Sequence, residues 1–118
     1  MKNKEPWYSV LCVFSHPTRV RKAQGNLYEE RITLWKAETW NDAYKLAEEE
    51  AKEYAKKEDC IFIRACCSYH LFDNNVVDGF QGAEIWSNMR DSHFDADTYI
   101  NTYCNSGRER DHELQEHE

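Results

Sequence analysis

Tyr28-Glu29-Glu30-Arg31 sets two carboxylates and a guanidinium at the head of a stretch that continues as Ile32-Thr33-Leu34-Trp35. The composition of the stretch is that of a β-strand, whose side chains alternate between two faces. Tyr28, Glu30, Ile32 and Leu34 then point one way, and Glu29, Arg31, Thr33 and Trp35 the other. The first set is the more apolar, which sets Glu30 on the face that is expected to be buried. A carboxyl group there is a candidate general acid or base. It is otherwise a structural group satisfied by an arginine or a tyrosine hydroxyl. No carboxylate or histidine partner on the same face is evident in sequence to share a reaction with it. Tyr28 and Glu30 therefore read as a buried polar anchor, and no catalytic residue is assigned.

Other reactive side chains do not converge in sequence. Cys66 and His70 fall on one face of a later strand. Four residues of strand span about 13 Å, too far for a nucleophile–base pair or for two ligands of one metal. His16, His93, His112 and His117 are scattered through loops and tail. There is no Gly-rich phosphate loop, no G-x-S-x-G and no H-E-x-x-H. No cofactor and no metal is expected.

The elements that must position these residues follow from periodicity. Trp7 to Phe14 is β-branched and aromatic, a first strand ended by His16-Pro17, since proline lacks the ladder donor. Thr18 to Asn26, with Arg19, Arg21 and Lys22, is a connecting loop closed by Gly25-Asn26. The second strand runs from Leu27 to Ala37. Thr39 then caps a helix, with Asp42 in an acidic version of the capping box. That helix extends to about Lys57, with Ala43, Ala47, Ala51 and Tyr54 at spacings of three and four. Its Glu48-Glu49-Glu50 run, with Lys52, Lys56 and Lys57, is a solvated face. Asp59 breaks the pattern, and Cys60 to Phe72 is the third strand. Asp73-Asn74-Asn75 and Asp78-Gly79 frame a loop around Val76-Val77. The fourth strand covers about Ala83 to Met89, with Ala83, Ile85, Ser87 and Met89 facing in. Asp95 caps a second helix to Cys104, stopped by Asn105-Ser106-Gly107.

The order β-β-α-β-β-α predicts an α+β fold, a mostly antiparallel four-stranded sheet with two helices and the first helix across one face. A parallel crossover from the second strand through the helix to the third is the other connection the order allows. Residues 1–107 form one domain, and residues 108–118 a charged, mobile tail.

The face opposite the first helix is expected to carry Glu29, Arg31 and Trp35 from the second strand. The third strand adds Arg64, beside Phe62, Cys66, Ser68 and His70. The fourth adds Glu84, Trp86 and Arg90, with Asn88. Trp and Arg are enriched at binding hot spots, so the residues expected to bind a partner are Glu29, Arg31, Trp35, Arg64, Glu84, Trp86 and Arg90. Cross-strand Arg–Glu and Arg–aromatic pairs that only cover the sheet are the plainer alternative.

Charge narrows the partner. The net charge is −7 and is uneven. Residues 1–37 hold seven basic and three acidic residues, or +4, and the remainder eight and nineteen, or −11. An acidic chain repels nucleic acid and anionic membrane and attracts basic proteins. No apolar run approaches the ~18 residues of a membrane span. A cytoplasmic setting is expected. The odd count of five cysteines, with no C-x-x-C pair, fits free thiols there.

Trp7-Tyr8-Ser9-Val10, the block Tyr28-Glu29-Glu30-Arg31-Ile32 with Leu34-Trp35-Lys36-Ala37-Glu38, Leu71-Phe72-Asp73, and Glu84-Ile85-Trp86-Ser87-Asn88-Met89-Arg90-Asp91-Ser92 resemble the small bacterial family called domain of unknown function 4288. The resemblance covers about residues 7–107, and the YEER block is its most specific part. The Cys66-Cys67 pair and the tail depart from it. It implies a small bacterial α+β domain and carries no reaction or catalytic residue.

The leading expectation is a non-catalytic protein-binding domain, in its specific form an immunity protein that neutralises a basic bacterial toxin. One alternative is a small enzyme using Glu30 as acid or base with Arg31 or Arg90. Another is a weak nucleic-acid platform of sheet aromatics, which lacks the motif of that class and is opposed by the charge. A homodimer through the aromatic face is the further partner the sequence leaves open.

Overall fold

The computed structural model describes residues 6–19, 25–71 and 79–104. Four strands form one sheet: β1 (Trp7–Ser15), β2 (Asn26–Lys36), β3 (Ile61–Leu71) and β4 (Glu84–Ser92). Helix α1 (Trp40–Glu58) lies between β2 and β3. A short helix α2 (Ala96–Tyr99) runs into a π-helical turn, Ile100–Cys104. The fold is α+β, as the sequence order predicts. The strand order is β3-β1-β2-β4, and every neighbouring pair is antiparallel. β2 and β3 consequently run parallel to each other with β1 between them, and α1 makes the crossover. The loop between β1 and β2 around residues 20–24, the segment 72–78 and the tail lie outside the described residues.

Helix α1 starts where Thr39, in extended backbone, accepts a hydrogen bond from Asp42 N at 3.1 Å. It stops at Asp59, whose left-handed φ of 56° turns the chain back. Cys60 N–H then donates to Ala55 O at 2.9 Å. Ala43, Ala47, Ala51 and Ala55 form the buried stripe. Residues without a side chain beyond Cβ let the helix backbone sit close to the sheet. They pack on Tyr8, Val10, Cys12 and Phe14 of β1 and on Trp35.

The stripe is narrow, so α1 covers β3, β1 and part of β2 and leaves β4 outside. Ile85 and Met89, expected to face in, are 51% and 39% exposed for that reason. Gly82 holds the approach to β4 against the sheet. Its N–H donates to Leu34 O at 2.7 Å, and a Cβ there would come within 3.1 Å of the Trp35 ring.

Three bulges break the strand alternation. Leu11 pairs Cys67 while Cys12 pairs Ala65, which leaves Cys66 as an extra residue. Val13 pairs Arg64 while Phe14 pairs Phe62, which leaves Ile63 extra. On the other edge Ile32 pairs Trp86 and Thr33 pairs Glu84, which leaves Ile85 extra. Each bulge moves the following side chains to the opposite face. A second core forms on the face away from α1, where Val13, Tyr28 and Cys66 meet Tyr99, Ile100 and Cys104.

Ala47 and Ala51 are fully buried, so Ala51→Leu forces extra methylenes into a closed helix–sheet contact. The expected cost is about 1–3 kcal/mol in urea unfolding. Ile85→Thr, on the exposed edge, stays within about 0.5 kcal/mol of the parent.

Candidate functional site

The charged triplet of β2 is buried on both faces. Cys12 pairs Arg31 and Phe14 pairs Glu29, so Glu29 and Arg31 share the face of β1 on which α1 packs. This corrects the expectation that Glu29, Arg31 and Trp35 lie opposite the helix. They are 3%, 7% and 7% exposed and present no surface. The charged set looked like the solvent face by polarity, but α1 carries polar partners for it.

Glu29 Oε2 accepts from the Tyr54 hydroxyl at 2.6 Å, and Glu29 Oε1 is hydrogen-bonded to His16 Nε2 at 2.6 Å. Arg31 donates twice to Glu50, at 2.6 and 2.9 Å, and from Nε to Glu84 at 2.6 Å. Its guanidinium lies 3.9 Å over the Tyr54 ring. Burial alone would lower the Arg31 pKa, but the hydrogen bonds and charges of Glu50 and Glu84 outweigh it and leave the group raised. Burial, then the bond and charge of Glu29, push Tyr54 up as well. Trp35 Nε1 donates to Thr33 at 2.7 Å. The Ile85 bulge is what brings Glu84 to this side.

Glu30 occupies the opposite face with Tyr28, both buried. The Tyr99 hydroxyl donates to Glu30 Oε2 at 2.5 Å, and Arg90 Nη2 lies 3.5 Å from the same oxygen. Tyr28 stacks on Tyr99 at 4.1 Å between centroids, and its hydroxyl donates to Phe94 O at 2.7 Å. Tyr28 and Glu30 thus anchor α2, whose start is capped by Asp95 accepting from Thr98 N at 2.8 Å. Those hydrogen bonds hold the Asp95 carboxyl below its ordinary range.

Beside this anchor is an open groove of about 240 Å³. Its floor is Ser9 and Leu11 of β1 with Glu30 and Ile32 of β2. Cys67 and Tyr69 of β3 form one side, Trp86 of β4 the other, and Tyr103 and Cys104 close one end. The register explains the grouping, since Cys67, Leu11, Ile32 and Trp86 form one row across the sheet. Trp86 and Tyr103 are 46% and 45% exposed, and Tyr69 is exposed too. The Arg90 guanidinium sits 4.0 Å over the Tyr103 ring and fixes that wall. Arg64, exposed, pairs with Asp97 of α2 at 2.6 Å on the same side of the sheet. Of the residues expected to bind a partner, Trp86, Arg90 and Arg64 lie on this face. A broader hollow of about 790 Å³ runs beside α1, but Glu49, Lys52, Glu53 and Lys56 line it as solvated helix charges.

The thiols are all free. Hydrogen bonding with the Cys104 and Cys67 side chains, then burial, pushes Cys66 far up. Burial, with the charge of Glu50, pushes Cys12 up to about 12. Burial, with the charge of Glu29, pushes Cys60 up to about 11. None of these is poised as a thiolate at neutral pH. His70 pairs Tyr8 on the α1 face, while the bulge sends Cys66 to the other core, so the two do not meet. One grouping was invisible in the sequence. His16, Glu29 and Cys60 bring their side-chain donors within 4.8 Å of one another.

Searches of the chain against models of protein families, against curated proteins and against solved structures give no significant match. Among the described residues, no helix is long and apolar enough to cross a membrane.

Two outcomes test this geometry. Arg31→Lys keeps one charge but loses the fork that reaches Glu50 and Glu84 together, and it costs about 1–3 kcal/mol in urea unfolding. The Cys12 thiol is raised in the folded chain from 9.0 to about 12. Its contribution to stability is complete below pH 9 and is lost as pH rises toward about 12. The urea midpoint therefore falls across that window, and Cys12→Ala makes the fall shallower.

Proposed function

We propose that this protein is a non-catalytic binding domain that docks a basic protein on the sheet face opposite α1. The observation that carries the reading is the groove walled by the exposed rings of Trp86, Tyr69 and Tyr103. Large rings that stay half in water around a partly apolar floor are the anchors of protein interfaces. Residues 79–104, which supply β4 and α2, hold four carboxylates against one guanidinium. Glu84 of this set faces α1, so the attraction rests on the chain charge of −7, which steers a cationic partner from a distance.

The specific form we propose is a cytoplasmic immunity protein that neutralises a basic bacterial toxin. The resemblance to domain of unknown function 4288 supports a bacterial setting and adds no reaction. Against acid–base chemistry stands the engagement of Glu30, which Tyr99 and Arg90 already hold.

The test pairs the protein with the product of the gene immediately upstream. Wild type is expected to restore growth and to co-purify with that product, with an association rate that falls as salt rises. Trp86→Ala and Tyr103→Ala each cost about 2 kcal/mol of binding, roughly thirtyfold in Kd, with melting temperature unchanged. Unaltered binding in a folded Trp86→Ala variant removes the groove as the interface. Self-association lost in Trp86→Ala would instead make a second copy of the chain the partner.

A further inference from the structure

We infer that His16, Glu29 and Cys60 form a binding site for a divalent transition-metal ion, with Zn²⁺ the best chemical fit. The three residues come from the chain just after β1, from β2 and from the turn between α1 and β3. They offer one nitrogen, one oxygen and one sulfur within 4.8 Å of one another. Zn²⁺ takes this mixture of donors at about 2.0–2.3 Å, which sets neighbouring donors about 3.3–3.6 Å apart in a tetrahedron. His16 Nε2 and Glu29 Oε1, now 2.6 Å apart, would open by about 1 Å to take the ion. Mg²⁺ and Ca²⁺ need six or more oxygens and find one carboxylate here.

The surroundings favour an ion over a chance encounter. His16 is 1% exposed and Glu29 3%, so two donors are already out of water. The Cys60 thiol makes no hydrogen bond among the described residues, although it sits beside a carboxylate. Glu29 keeps its second oxygen fixed by the Tyr54 hydroxyl, the kind of outer partner that orients a metal-binding carboxylate. Backbone bonds hold the other two in place: His16 N–H donates to Leu27 O and Cys60 N–H to Ala55 O, each at 2.9 Å. Thr18 Oγ1 donates to Asp59 O at 3.3 Å and ties the turn after His16 to the residue before Cys60. A dication also balances one thiolate and one carboxylate beside a neutral imidazole, which leaves a neutral buried centre. Cys60 is only partly covered, which gives the ion a path in and a fourth position for water.

The site is distinct from the groove, on the other face of the sheet, so it stands or falls independently of the binding role. Its test is a titration of the chelator-treated full chain with Zn²⁺, followed by calorimetry and thermal unfolding, and a parallel titration with Co²⁺. One equivalent is expected to bind and raise the melting temperature. Co²⁺ is expected to give a thiolate charge-transfer band with the strong visible bands of a tetrahedral site. Cys60→Ser and Cys60→Ala should both remove the charge-transfer band and the thermal shift while leaving the melting temperature of the metal-free protein in place. Tyr54→Phe should weaken binding about tenfold to a hundredfold. Cys104→Ser should leave binding unchanged. The inference is overturned if wild type binds Zn²⁺ no better than Cys60→Ser. It is equally overturned if the cobalt–thiolate band survives in both Cys60 variants or is lost in Cys104→Ser.

Discussion

Three consecutive charges, Glu29, Glu30 and Arg31, lie in an interior strand with both faces covered. Removing ionisable groups from water is costly unless each finds partners of good geometry. The chain meets this constraint by giving each face its own set. On one side α1 supplies Glu50 and Tyr54, β4 supplies Glu84, and the chain after β1 supplies His16. On the other, α2 supplies Tyr99 and β4 supplies Arg90. Alternation of side chains is what sorts them, since a strand cannot send neighbours to the same face. The two helical elements are therefore located by polar contacts as well as by their apolar stripes.

The two sides serve different ends. Under α1 the alanine stripe brings the helix backbone close to β1. Under α2 the cover is short, four residues of helix and a five-residue π-turn. It closes over Tyr28 and Val13 and stops before Ile32 and Trp86, and the uncovered remainder is the groove. The same economy that anchors α2 on Glu30 thus exposes the rings beside it. Arg90 joins the two, bonded to the anchor and lying over the Tyr103 wall.

Much of this was legible in the residues. The alternating strands, the Thr39 and Asp95 caps and the alanine spacing of α1 all state local preferences that the fold keeps. Tyr28 and Glu30 could be recognised as buried because their strand neighbours Ile32 and Leu34 are apolar. The orientation of β2 relative to α1 could not be read, because Glu29 and Arg31 look like a solvent face until Glu50 and Tyr54 are placed over them. The bulges at Ile63, Cys66 and Ile85 were equally hidden. Period-two reasoning carried Cys66 and His70 to one face, where one extra residue at Cys66 separates them. The His16–Glu29–Cys60 grouping joins segments separated by a strand and a helix, so no local spacing signals it.

The central claim is that the β2 charges are structural anchors satisfied across the sheet. A double-mutant cycle of Glu30→Gln with Tyr99→Phe, read by urea unfolding, addresses it most directly. The account predicts that each single change destabilises the fold and that the pair is coupled by about 1–3 kcal/mol. Coupling indistinguishable from zero, with Glu30→Gln as stable as wild type, would contradict it.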